Sequence, residues 1–270
     1  MKSKRGALAV LVVALWIGGM AMMAHRNANR TESQQLAEVA LRVQPATFYY
    51  TVDRDGEQIG AASSALDTTA KSLLSEEYFV GDFTAAATPT ERTSARWRTR
   101  LTRGLHMIDL SADVARPTKP FTMNATVQED TSIFIAGKKT TGRPAARYTF
   151  TAPLFNPTVA SVVFMLGAPP RIGRTQTISV FDPMTRTVVR PSLRIRAESL
   201  FAVVDSATRD RSGEWTAAHR DTVRAWRIEG APHGLDAWVD ADGRLVAAKA
   251  GSYSAIRTAF EIAFRNSKAK

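Results

Sequence analysis

The sequence predicts a mainly β protein with minor α content. We expect its strands to form an antiparallel meander, either a curved sheet or a partly closed barrel, with a short buried plug helix, a C-terminal helix and one N-terminal transmembrane helix. Three observations predict this class: polar and apolar residues alternate from Pro45 onward, turn residues recur at short intervals, and one long apolar run opens the chain.

The apolar run lies within residues 1–26. Lys2, Lys4 and Arg5 precede 18 uncharged, mostly apolar residues at 7–24. As a helix this run would span about 27 Å, close to the roughly 30 Å hydrocarbon core of a bilayer. Because cations in front of a span favour a cytoplasmic N-terminus, we expect a single-pass signal anchor in the inner membrane. A cleaved signal peptide is the alternative.

The rest of the chain is then exported to the periplasm or another extracytoplasmic space. Residues 27–43 begin polar and become compatible with a helix that Thr31 would cap, so we expect a partly helical stalk. No internal boundary follows. Residues 44–270 are expected to form one exported β-rich domain.

Period-two alternation identifies the strands. In residues 94–110, every second residue from Arg96 to Arg100 is arginine, and the residues between them suit a sheet interior. Alternate side chains of a strand lie on opposite faces, so the arginines share one face. Further predicted strands are rich in β-branched and aromatic residues: 48–52, 121–128, 131–137, 146–152, 175–182, 188–201 and 222–229.

Two segments interrupt the strands with helical patterns. Residues 156–170 begin with Asn156 as a cap and Pro157 in the first turn, and Gly167 followed by two prolines ends them. A short helix that is apolar on nearly every side is buried, so it should plug or line the inner face of the sheet. A C-terminal helix is expected over 254–270, where apolar residues recur at helical spacing.

Two Asp-x-Asp-Gly segments suggest either calcium loops or turns: WVDADGRLV at 238–246 and TVDRDGEQI at 51–59. A helix–loop–helix calcium loop ends with a bidentate Glu at position 12. Counted from the first Asp of each segment, that position is Gly251 or Ser64. Asp-Gly between two strand-like runs is a hairpin signal, so we predict two turns.

The distribution of charge limits the classes of partner that the chain can bind. Of a net charge of +11, the excess lies in residues 91–200, which hold 17 Lys and Arg against 7 Asp and Glu. A basic middle can face anionic lipid, nucleic acid or an acidic partner. Because the domain is expected to be exported, we predict that the chain contacts the inner membrane through residues 7–24. Its basic middle is then predicted to face anionic lipid or an envelope protein, and no nucleic acid. The oligomeric state stays open.

The residues offer no recognisable catalytic or metal chemistry. Cysteine is absent, which removes disulfides, thiolate zinc sites and cysteine nucleophiles. The four histidines, His25, His106, His219 and His233, lack the spacing of a helical zinc site. Nucleophile-elbow, P-loop and dinucleotide-binding motifs are missing. We therefore expect no enzyme, no metal and no cofactor, with a hydrolase assembled from distant residues as the least favoured alternative.

Two sets of residues are candidates for a binding role. The predicted plug helix offers apolar side chains that would line a ligand site: Val159, Val162, Val163, Phe164 and Leu166. The arginine row offers a basic face: Arg96, Arg98, Arg100 and Arg103. In the predicted C-terminal hairpin, Trp226 and Trp238 are expected to face each other.

The C-terminal third resembles a known group of proteins. The runs RDTVRAWRIEG, LDAWVDADGRLVAA and IRTAFEIAFRN are similar to uncharacterised, signal-anchored bacterial envelope proteins with a β-rich non-catalytic region, associated with transglutaminase-like proteins. The likeness covers mainly 175–266, and 48–64 is consistent with it. A transglutaminase core needs a catalytic Cys that this chain lacks, so the resemblance implies an envelope location and an accessory role. The plugged meander also looks like periplasmic lipid-carrier half-barrels.

Together these features predict a non-catalytic, membrane-anchored envelope protein. Its exported domain would bind a lipid-like or other hydrophobic ligand beneath the helix at 156–167. The alternative is an interaction module that docks an envelope enzyme through the basic strand face.

Overall fold

The computed structural model of the chain describes most of the residues after position 42. The described residues are Met20, Glu38, Leu41, 43–69, 71–83, 90–118, 120–129, 131–136, 145–151, 153–183, 185–230 and 236–265. The predicted membrane helix at 1–26 and stalk at 27–43 therefore fall almost entirely outside the described part. Within that part, no helix is both long enough and apolar enough to cross a bilayer.

The described residues form a mainly β structure with two short helices, which confirms the predicted class. The first eight strands are β1 (Ala46–Arg54), β2 (Glu57–Thr68), β3 (Leu73–Phe83), β4 (Glu91–Leu101), β5 (Met107–Ala115), β6 (Phe121–Gln128), β7 (Ser132–Ile135) and β8 (Ala146–Thr149). The remaining elements are β9 (Leu154–Phe155), α1 (Pro157–Gly167), β10 (Thr175–Thr177), β11 (Ser179–Asp182), β12 (Thr187–Val189), β13 (Ser192–Arg209), β14 (Trp215–Glu229), β15 (Asp236–Val239), β16 (Leu245–Ala250), β17 (Tyr253–Thr258) and α2 (Phe260–Ala263).

Fourteen of these strands make one antiparallel sheet in the order β10-β13-β14-β15-β16-β17-β1-β2-β3-β4-β5-β6-β7-β8. Most neighbours in the sheet are also neighbours in the chain, as the predicted meander requires. The exception at its centre joins the two ends of the domain, because β17 pairs with β1 and places Arg257 opposite Tyr50. This pairing joins strands from the N- and C-terminal halves of the domain into one continuous sheet.

The inner face of the sheet wraps around α1 and a second, three-stranded sheet of order β12-β11-β9. One continuous core contains α1 residues together with residues from strands far apart in the sheet, such as Leu73, Ile135 and Ile228. Six of the eleven residues of α1 are buried. The predicted short buried helix is therefore confirmed.

Both Asp-x-Asp-Gly segments are hairpin turns, as predicted. The first joins β1 to β2, with φ of 50° at Asp55 and 87° at Gly56. The second joins β15 to β16, with φ of 77° at Gly243. There the Asp240 side chain accepts hydrogen bonds from the backbone N–H groups of Asp242 and Arg244, at 3.1 and 2.9 Å. The Asp240 carboxylate therefore holds the second turn through backbone N–H groups.

The predicted C-terminal helix is much shorter than its pattern indicated. Residues 253–258 form β17, and only the four residues of α2 are helical. The reason is tertiary: the backbone of β17 pairs with β1 on one side and β16 on the other, and this long-range pairing overrides the local helical spacing. Residues 266–270 lie outside the described part.

The hairpin of β13 and β14 contributes to both faces of the sheet. The half that contains the start of β13 and the end of β14, here called the lower half, belongs to the main core through Ile195 and Trp226. The upper half of the hairpin forms a second small cluster in which the rings of Phe201 and Trp238 lie 5.1 Å apart. The expectation that Trp226 and Trp238 face each other is wrong, because Trp226 pairs with Val239. A shift of one residue moves a side chain to the opposite face.

Candidate functional site

The N-terminus of α1 is fixed by the cap that the sequence predicts. The Asn156 side chain accepts a hydrogen bond from the Val159 N–H at 2.7 Å, and Pro157 occupies the first turn. The Asn156 amide nitrogen also donates to the Ser75 hydroxyl at 3.3 Å. The cap therefore ties the start of the helix to β3.

The C-terminus of α1 is held by a side chain from outside the helix. The Arg174 guanidinium donates hydrogen bonds to the backbone carbonyls of Phe164 and Ala168. It also lies over the Phe164 ring, 4.6 Å from the ring centroid. Burial lowers the pKa of Arg174. A helix leaves its last carbonyls without intrahelical partners, and this arginine satisfies two of the carbonyls at that end.

The middle of α1 is fixed by the second Asp-x-Asp-Gly turn. The Ser161 hydroxyl donates to the Gly243 carbonyl at 2.8 Å. The turn approaches so closely that a Cβ atom at position 243 would lie 2.5 Å from the Ser161 carbonyl oxygen and from the Val162 Cα. Glycine is required here both for its positive φ and for the contact itself.

A cavity of about 360 Å³ lies between one side of α1 and the sheet. The helix contributes Pro157, Thr158, Ala160 and Ser161 to its wall. Strands from both halves of the domain complete it, mainly with apolar groups such as Ala62, Phe79, Trp97, Leu193, Ile228 and Ala255. Its volume and apolar wall are those of a small-molecule site.

The five predicted ligand-lining residues lie elsewhere on the helix. Four of them, Val159, Val162, Val163 and Phe164, are at most 3% exposed and belong to the main core. Leu166 is partly buried and packs against the same core. The helix thus turns its large side chains toward the core and its small ones toward the cavity.

Glu77 on β3 is the one charged residue among the described residues that line the cavity. Its Oε1 accepts hydrogen bonds from the hydroxyls of Ser64 and Ser75, at 3.1 and 3.2 Å. Burial raises the pKa of Glu77 to about 7, although the hydroxyls of Ser64, Thr158 and Ser75 and the charge of Arg244 act in the opposite direction. This carboxyl is therefore poised to change charge near neutral pH.

Further buried polar groups surround this end of the cavity. The Tyr50 hydroxyl donates to the Leu245 carbonyl at 3.1 Å, and burial raises its pKa. Arg257 donates to the Asp240 carboxylate at 2.9 Å. Arg244 donates to the Gln44 carbonyl at 3.0 Å, and burial lowers its pKa. The two arginines are thus already bound by protein oxygens.

The arginine row forms a ladder of ion pairs. Arg96 and Arg98 both bind Glu76, at 2.6 and 2.7 Å, and Arg100 binds Asp109. Burial acts to raise the pKa of Glu76, but the hydrogen bonds and charges of the two arginines outweigh it and lower that pKa. Arg103 is exposed in the turn after β4 and does not continue the row. Much of the positive charge on this face is therefore balanced by neighbouring strands.

The described histidines do not assemble a cleft. His219 Nδ1 lies 2.9 Å from the Asp205 carboxylate, but both side chains are at least half exposed on the upper part of the β13–β14 hairpin. His106 follows β4, with its ring 5.9 Å from that of Phe155. Among the described residues, no group of three or more His, Cys, Asp or Glu residues could hold a metal ion.

Sequence reasoning missed Glu77 and Trp97. The sequence did contain a signal for Glu77. Leu73, Ser75 and Glu77 are alternate residues of one strand, so their side chains lie on the same face of the sheet, the one that meets the core. Glutamate is uncommon on the buried face of a strand. The predicted strands do not include 73–83, so the sequence analysis predicts no face for Glu77.

The comparisons with known proteins identify a fold. No protein-family model and no curated protein matches the sequence. Among solved structures, a β-barrel-like protein of the domain of unknown function DUF1849 from Brucella abortus matches with a TM-score of 0.51 and 13% identity, covering 80% of this chain and 96% of that chain. A DUF1089 family protein from Pseudomonas aeruginosa matches with a TM-score of 0.38 and 10% identity over 68% of this chain and 87% of its own, a score too low to establish a shared fold. The chain therefore has a β-barrel-like fold.

Proposed function

We propose that this domain binds a hydrophobic ligand in the cavity beside α1 and performs no catalysis. The observation that carries the proposal is the cavity itself: about 360 Å³ with a mainly apolar wall that includes residues of the main core. Protein interiors leave few voids larger than a water molecule. Three separate contacts, at Asn156, Ser161 and Arg174, hold α1 beside this space.

We further propose that the protein acts in the bacterial envelope, anchored in the inner membrane through residues 7–24. The support is the sequence pattern of cations followed by an apolar run of membrane length. An accessory role beside transglutaminase-like proteins remains a prediction of the sequence resemblance. The docking alternative has less support, because three of its four arginines are paired with acidic residues.

The test uses native mass spectrometry of the full-length protein, extracted from the membrane in lipid nanodiscs without detergent. We expect the wild-type protein to carry an adduct with the mass of a small hydrophobic molecule. Ala62→Phe places a ring in the cavity from β2 and should abolish the adduct. Ala202→Phe makes the same change at an exposed position of β13 and should leave the adduct in place.

Three results would contradict the proposal. The first is a wild-type mass without any adduct in every preparation. The second is an adduct that persists in Ala62→Phe, and the third is an equal loss of the adduct from both folded variants. Circular dichroism on each variant verifies that the sheet remains folded, so that loss of the adduct reports on the cavity.

A further inference from the structure

The size of the cavity limits the ligand. A volume of about 360 Å³ lies at the lower end of the range of about 300–1,000 Å³ that small-molecule sites have. Sites of this range hold ligands that are much smaller than a two-chain phospholipid. The cavity therefore suits a single chain of medium length with a small polar end.

The polar end of the ligand would meet Glu77. On the adjacent strand, Trp97 lies directly opposite Glu77 in the register of β3 and β4, and directly opposite side chains have their Cβ atoms about 5 Å apart. Both residues line the cavity. One polar group of a ligand can therefore approach both side chains.

These two side chains have complementary hydrogen-bonding capacity. Glu77 accepts bonds from serine hydroxyls, and the described residues include no cation in an ion pair with it. The Trp97 indole Nε1 is buried and has no hydrogen-bond partner in the described part of the chain. A buried donor without a partner destabilises the fold. A ligand group that accepts from the indole and donates to the carboxylate would satisfy both.

We infer that the cavity selects a single-chain amphiphile with a neutral hydroxyl end, held between Glu77 and Trp97, and that it discriminates against a carboxylate end. This inference rests on the proposed ligand-binding function and specifies its ligand class. A hydroxyl both donates and accepts. A carboxylate only accepts, and it would bring a second negative charge next to Glu77 in an apolar space.

The charged groups around Glu77 do not reverse this selection. From β1 the neighbour is Tyr50, whose hydroxyl is bound to a backbone carbonyl. From the β15–β16 turn the cation that acts on Glu77 is Arg244, whose charge also interacts with the carboxylates of Asp240 and Asp242. Arg257 on β17 is paired with Asp240. The discrimination should weaken as the pH falls below about 7 and Glu77 takes up a proton.

The experiment compares decanol with decanoate, two probes with the same chain and different ends. Binding to the full-length protein is measured by displacement of a fluorescent hydrophobic probe at pH 8 and at pH 5.5. At pH 8 we expect decanol to bind at least tenfold more tightly than decanoate. In Glu77→Gln the ratio should fall to within about threefold, mainly because decanoate binds better.

The controls separate this inference from the function on which it rests. Ala62→Phe should abolish binding of both probes and so reports on the cavity alone. If both probes bind the wild type equally at pH 8, or if decanoate binds more tightly, while Ala62→Phe still blocks them, the selection is wrong and the cavity function stands. If neither probe binds, or Ala62→Phe has no effect, the proposed function fails and the inference fails with it.

Discussion

Glu77 shows how the position of one carboxyl changes the response of the fold to pH. In the folded domain its pKa is raised by burial to about 7, from an ordinary value of 4.5. Between these pH values the unfolded chain has released this proton and the folded domain retains it. Stability falls with rising pH wherever the folded state binds more protons. Glu77 therefore destabilises the domain progressively from about pH 4.5 to about pH 7.

We predict that Glu77→Gln removes this dependence. Its free energy of unfolding relative to wild type should rise between pH 5 and pH 8, by up to about 3 kcal/mol for a pKa shift of this size. Urea unfolding at the two pH values measures the difference. Asp113→Asn, at an exposed position of β5, is the control and should show no such rise. Parallel pH profiles for wild type and Glu77→Gln would mean that Glu77 titrates normally.

At the scale of elements, the two Asp-x-Asp-Gly turns have the same local chemistry and different surroundings. Gly56 and Gly243 both have positive φ, of 87° and 77°. A Cβ at Gly56 would meet nothing within 4 Å, whereas one at Gly243 would overlap the backbone of α1. The sequence motif specifies the turn in both cases. Only the packing makes one of them a support for the helix.

We predict different costs for alanine at these two glycines. Gly56→Ala should lower the free energy of unfolding by about 1 kcal/mol through backbone strain alone. Gly243→Ala should lower it by about 3 kcal/mol, because it adds a steric clash with the helix backbone. Urea unfolding of both variants provides the comparison. Equal losses would show that the turn at 240–243 does not support α1.

At the scale of the whole molecule, the sheet is packed on both faces. The inner face encloses α1, the small sheet and the cavity. On the other face, the upper half of the β13–β14 hairpin packs its Phe201 and Val203 against Trp238 and Val246. The rings of Tyr49, Phe260 and Phe264 form a further contact between β1 and α2. The cavity and the upper hairpin thus belong to separate packing units.

We predict that the upper hairpin can be loosened without affecting the cavity. Phe201→Ala should lower the free energy of unfolding by about 2 kcal/mol, since the ring is partly buried, and should speed amide exchange in the upper halves of β13 and β14. Leu200→Ala, at a side chain that is 63% exposed, should change stability by less than about 0.5 kcal/mol. The ligand adduct should persist in both. Its loss in folded Phe201→Ala would contradict the separation of the two units.

Features that depend on neighbours in the chain could be predicted from the amino-acid pattern alone. The alternation of residues specified many of the strands, although not β3. Asp-Gly specified both turns, and Asn156 with Pro157 specified where α1 begins, because each of these is a preference of a few adjacent residues. Burial of α1 also followed from its own composition.

The residues that meet are set by the tertiary structure. It placed Glu77 opposite Trp97, paired β17 with β1 across about two hundred residues of chain, and balanced the arginine row with Glu76 and Asp109. It also turned the large side chains of α1 away from the cavity. These outcomes depend on strand register, where a shift of one residue exchanges the two faces, and register is set by packing between distant segments.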